Sequence, residues 1–153
     1  MAVINKANIT TSFRDAAGAT IIGNVDLQSD LVQNLTRTLD SGATNVEFDV
    51  AITKAAIIGM ALSVAKSSGE AGSASCSATV KTNSTSDTAV SGTNDIFDLT
   101  PTGIPGGLAY YASGPYPNPF TVDVTKLYIT NTGTAKCDIT LRLLLDSSPS
   151  LAG

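Results

Sequence analysis

AKCDITLRLLL, residues 135–145, is the stretch on which the fold turns. Ala135, Cys137, Ile139, Leu141, Leu143 and Leu145 occupy every odd position, Lys136, Asp138, Thr140 and Arg142 are polar, and Leu144 alone breaks the rule. A period of two marks a strand with one face on a core and the other in water. Upstream, Leu127 and Ile129 alternate with Lys126, Tyr128 and Thr130. Asn131, Thr132 and Gly133 separate the two runs and read as a hairpin turn, because Asn and Gly tolerate the positive φ such turns require. The chain is therefore expected to close on a β-hairpin.

The same grammar extends towards the N-terminus. Val46, Phe48, Val50 and Ile52 alternate with Glu47, Asp49 and Ala51, a half-buried strand. Ile58, Met60, Leu62 and Val64 alternate with Gly59, Ala61, Ser63 and Ala65, a strand whose second face is crowded. Leu31, Leu35 and Leu39 suit one face of a helix or of a strand, with Gln33 and Arg37 intruding on the apolar side, and their setting favours a strand. Further strands are expected over residues 8–13, 20–27, 74–82, 96–99 and 108–113. Phe120, Val122 and Val124 are apolar on even numbers, whereas Leu127 and Ile129 are odd, so a bulge or bend is expected between Val124 and Leu127. Loops follow from Ser, Gly, Asn and Pro at 67–73, 83–94, 101–107 and 114–119.

Some eight to ten short, evenly spaced strands predict an all-β antiparallel β-sandwich, jelly-roll-like, with immunoglobulin-like topology as the rival. Residues 1–6 read as a short N-terminal arm, 7–146 as a single domain and 147–153 as a flexible tail. With 153 residues the chain is long enough to bury a core.

At 14% charged residues, the surface is expected to be made of Thr, Ser, Asn and Gly rather than ion pairs, which suits a protein packed against neighbours. The net charge is −4 and the nine basic residues are scattered, which argues against direct nucleic-acid binding and against attachment to an anionic membrane. Residues 1–13 lack the apolar core of a signal peptide, so synthesis in a cytoplasm is expected. Cys76 and Cys137 read as free buried thiols rather than a disulfide. The triplets at Asn8, Asn34 and Asn83 that match a glycosylation acceptor read as chance.

Histidine is absent, which removes imidazole-based nucleophilic catalysis. Asp95 and Asp98, or Asp26 and Asp30, are the acids close enough in sequence to suggest a glycosidase pair or a calcium site, but solvated loop acids are far commoner. No enzyme activity, cofactor or metal is expected. The remaining cluster is aromatic and stiff: Tyr110, Tyr111, Tyr116 and Phe120 interleave with Pro115, Pro117 and Pro119. Tyr offers apolar area with a hydroxyl, and Pro lowers the entropy lost on docking. Candidate contact residues are therefore Tyr110, Tyr111, Pro115, Tyr116, Pro119 and Phe120, together with Met1, Ala2, Val3 and Ile4 of the arm.

Residues 46–52, 78–84 and 121–146, above all 124–131, 133–135 and 139–146, resemble small head-associated structural proteins of tailed bacteriophages, of the cement or decoration type. The resemblance covers about half the chain and rests on strand patterns. It implies a homotrimeric β-sandwich on the capsid exterior, partnered by the major capsid protein and bracing the shell against DNA pressure. The competing expectation is a ligand- or glycan-binding module of a phage fibre or cell-surface assembly.

Overall fold

A computed structural model describes residues 5–14, 20–29, 31–99, 107–112, 118 and 120–146, with side-chain burial over 31–99, 118 and 120–146. Ten strands follow one another: β1 (Asn5–Arg14), β2 (Thr20–Ser29), β3 (Leu31–Leu39), β4 (Val46–Ile52), β5 (Ile57–Lys66), β6 (Ala78–Thr82), β7 (Ile96–Leu99), β8 (Gly107–Ala112), β9 (Val124–Asn131) and β10 (Cys137–Leu145). β1 and β2 pair as a separate antiparallel hairpin. The other eight form two four-stranded antiparallel sheets, ordered β3-β10-β5-β8 and β4-β9-β6-β7.

From β3 onward the chain crosses between sheets at every connection except β6 to β7. Eight strands wound in this way make a jelly roll, whereas an immunoglobulin-like sandwich keeps more of its consecutive strands in one sheet. The sheets bury their alternating faces on each other. Cys137, Ile139, Leu141, Leu143 and Leu145 of β10 meet the core alongside Met60, Leu62 and Val64 of β5. Val80, Leu127 and Ile129 enter it from the opposite sheet. The region 31–39 is a strand, as its setting favoured.

The chain does not close on a hairpin. β9 pairs with β4 and β6, and β10 pairs with β3 and β5, so residues 132–136 form a corner from one sheet to the other. Alternation fails to distinguish these cases, because hairpin partners and strands facing across a sandwich both turn their odd residues to the same core. Asn131 and Gly133 serve the corner, not a positive φ; among the described residues φ is positive at Asn45, Asn83, Gly42, Gly69 and Gly92. The buried Asn131 amide donates to the carbonyls of Leu39 (3.3 Å), Asp40 (3.0 Å) and Ala135 (2.8 Å), and its Oδ1 accepts from the Gly133 N–H at 3.0 Å. A Cβ on Gly133 would lie 2.5 Å from the Ser75 carbonyl oxygen.

The expected irregularity between Val124 and Leu127 is present. Phe48 pairs with Leu127 and Ile52 with Val124, so β9 covers the interval with one residue fewer than β4 and both ends still face inward. Asn83, in the left-handed region at φ 57°, completes the gap: its Oδ1 accepts from the Thr125 N–H at 2.9 Å and its Nδ2 donates to the Asp123 carbonyl at 2.7 Å.

Boundaries moved where loops took over from ladders. β6 starts at Ala78 rather than 74, because Ser75 and Ser77 bond to the corner at Thr132, Thr134 and Ala135 instead of a strand. β9 starts at Val124, leaving Phe120 outside any strand and Val122 in a bend. β1 starts at Asn5 rather than at 8, so Asn5 and Lys6 of the expected arm are in a strand.

The corner generates a test. Gly133→Asn is well tolerated in a hairpin turn that needs positive φ; at this corner it and Gly133→Ala should each destabilise the chain by about 1–3 kcal/mol, through the clash with Ser75. Asn131→Ala, which strips buried carbonyls of their donor, should cost about 2–3 kcal/mol. Urea denaturation midpoints measure all three, and a neutral Gly133→Asn would contradict the corner.

Candidate functional site

The expected contact loop divides. β8 is an edge strand, and Tyr110 takes the register position opposite Ala61 while Tyr111 sits opposite Met60. Met60 belongs to the inner row and Ala61 to the outer, so the two tyrosines occupy opposite faces of the sheet. Phe120 is a correction: it is 5% exposed and packs edge-on against Phe97, with ring centres 5.4 Å apart, so it is a core residue and not a contact. It is drawn inward because Asn118 and Thr121 anchor the backbone on either side. Asn118 Nδ2 donates to the Lys54 carbonyl at 2.9 Å, and Thr121 donates from N–H and Oγ1 to the two Asp95 oxygens at 3.1 and 2.7 Å. Met1, Ala2, Val3, Ile4, Pro115, Tyr116 and Pro119 lie outside the described residues.

The acids considered for chemistry have structural partners. Asp95 is buried and clamps the approach to β9, whereas Asp98 is exposed and accepts from Thr79 Oγ1 across the β6–β7 ladder at 2.8 Å. Asp26 lies in β2, where its register partner is Asn8, and Asp30 lies outside the described residues. Asp138 accepts from Thr38 on β3 and Ser67 at the end of β5, each at 2.6 Å, which ties three neighbouring strands together. Those two hydroxyls hold its carboxyl below the usual carboxylate range. Lys126 bridges Glu47 and Asp49 across the β9–β4 ladder, and their carboxylates raise its ammonium above the ordinary lysine value. Lys81 is buried to its tip, where Nζ bonds the Thr85 carbonyl (3.1 Å) and Asp87 (2.5 Å); the lysine lowers the Asp87 carboxyl in turn. Among the described residues no three Cys, Asp or Glu side chains converge as metal ligands would.

The sandwich is open along its β3–β4 side. Gln33 and Arg37, which intruded on the apolar pattern, span that opening: Gln33 Nε2 donates to the Ala51 carbonyl at 2.9 Å, and the Arg37 guanidinium lies 5.9 Å from the Phe48 ring centre. Beside them runs a groove of about 330 Å³ lined by Leu31, Gln33, Ala51, Thr53, Ala56, Leu145 and Asp146. Its lining holds no aromatic ring and mixes one acid with one amide.

Cys76 and Cys137 are free, buried thiols. Burial pushes the Cys137 thiol up to about 11, with Cys76 and Asp138 adding to the shift, and burial also raises Cys76. Little thiolate is then available at neutral pH. Sequence reasoning missed Asn131 and Asn83, the two polar residues that organise the irregular backbone. The signal for Asn131 was there: a polar residue on the buried parity of its strand.

No family model matches the sequence, and the comparisons with curated proteins and with solved structures also return no match.

Two measurements check this geometry. Thr38→Val removes a donor to Asp138, so its carboxyl should titrate at a higher pH in an NMR titration. A lowered carboxyl stabilises the fold above the unfolded-state value near 3.9, and that contribution disappears as pH falls through the folded value, so the variant should lose less stability on acidification. At pH 8 neither thiol of the native chain should react with a disulfide reagent, and both should react once guanidinium unfolds it; rapid native labelling of Cys137 would contradict its burial.

Proposed function

We propose that this chain is a non-enzymatic structural protein of a virion, binding and stabilising the capsid shell of a tailed phage as a cement or decoration protein. In this reading it works as a homo-oligomer, a trimer by the resemblance, on the capsid exterior, with the major capsid protein as partner. The observation that carries it is the fold itself: an eight-stranded jelly roll, an architecture used by viral capsid and lectin domains. Two further features support it. The segments that resemble phage head proteins fall on β4, β6, β9 and β10, which between them span both sheets of the sandwich. The carboxylates described above act as struts between strands, an arrangement suited to bearing load.

The same architecture serves lectins, which is what a glycan-binding module would need. Sugar-binding sites of that kind rely on aromatic platforms, and the β3–β4 groove has none.

Quantitative mass spectrometry of purified particles from the source of this gene tests the reading. A copy number comparable to that of the major capsid protein is expected. A handful of copies would move the chain to the tail or fibre, and its absence would overturn the proposal.

A further inference from the structure

Among the described strands, the two four-stranded sheets leave four edges, two on each side of the sandwich. On one side the edges are short: β7 has four residues and β8 six. On the other they are β3, with nine residues, and β4, with seven. Long, regular edges are the ones that accept a strand from another chain, and Lys or Pro on the strand is a common defence. Neither β3 nor β4 contains Lys or Pro.

β3 carries two polar side chains on its inward parity instead. Its register sets Leu35 opposite Leu141 and Leu39 opposite Cys137, so the odd-numbered residues of β3 share the face that β10 turns to the core. Gln33 falls opposite Leu143 and Arg37 opposite Ile139, both buried, at positions where an apolar side chain would complete the row. An apolar residue at either place would bury more surface, so core packing alone does not account for them. Both reach across to β4, Gln33 to the Ala51 carbonyl at 2.9 Å and Arg37 to within 5.9 Å of the Phe48 ring centre. Arg37 is exposed, and its guanidinium also donates to the Thr36 carbonyl at 3.2 Å. Side chains thereby occupy a backbone acceptor on each edge strand. A strand added beside β3 would cover Arg37 and draw its charge out of water, against Leu35 and Phe48. We propose that Gln33 and Arg37 guard this side of the sandwich, blocking β3 from extending its sheet into a strand of another chain. The guard is independent of the shell role, because it depends on the β3–β4 seam alone.

Sedimentation velocity of the full chain over a concentration series provides the test, with the wild-type chain as reference. The double variant Gln33→Val with Arg37→Val completes the inward row with a strong strand former. Its thermal transition should stay at or above the wild-type value, while its self-association should tighten by about tenfold or more. Arg37→Lys, which keeps a charge on the row, and Thr36→Val, which puts the same apolar side chain on the outer face, should associate as the wild type does. Amide hydrogen exchange separates strand pairing from mere adhesion: residues 31–39 of the associated double variant should gain protection and those of β7 should not. Should the double variant lose its thermal transition, Arg37→Val alone carries the same test. An apolar variant that associates no more than wild type, equal association from Thr36→Val, or association without added protection in β3 would overturn the proposal.

Discussion

The sandwich depends on the contact between the inner faces of β9 and β10. Ile129 and Ile139 are both at 0% exposure, and the rest of the core assembles around the strands that carry them. Because these two strands belong to different sheets, burying one against the other closes the sandwich. Only five residues separate them, so the corner has to turn the chain across the full thickness of the core. Asn131 makes this feasible by satisfying carbonyls that would otherwise be buried without a donor, a deficit of about 1–3 kcal/mol each. Gly133 makes it feasible by letting the corner touch the Ser75 backbone.

The fold class was legible because alternation depends on which face is buried, and both sheets bury one face. The strands at 46–52 and 96–99 were read with the residues the structure gives them. The parity change between Val124 and Leu127 was a register signal in the residues themselves, since a strand cannot change parity and keep one face inward without an irregularity. Strand partners were not legible, and the expected hairpin at Asn131 failed for that reason. Phe120 was misplaced because Tyr and Pro neighbours favour a surface loop by composition, whereas the hydrogen bonds of Asn118 and Thr121 that turn it inward are tertiary. The remaining candidates on the arm and at Pro115, Tyr116 and Pro119 fall outside the described residues.

The low charge of the chain has a structural counterpart. Cross-strand bracing relies on hydroxyls and amides: Thr38 and Ser67 on Asp138, Thr79 on Asp98, Thr121 on Asp95 and Asn83 on the backbone around Thr125. Short polar side chains keep good strand propensity and lose little rotamer freedom when they bond. Their hydrogen bonds are also less sensitive to salt than exposed ion pairs such as Lys126 with Glu47 and Asp49.

The strand order also has a temporal meaning. β10 lies between β3 and β5, yet it is the last of the eight to be synthesised. Until residue 145 has left the ribosome, β3 has no ladder partner in its sheet and β5 has one open edge. The nascent chain therefore carries unpaired strand edges through most of its synthesis, the state most prone to pairing with the wrong chain. The long-range β3–β10 ladder makes closure of this sheet a late, slow step. The point of greatest risk for this chain is thus on the ribosome, before the sandwich has closed.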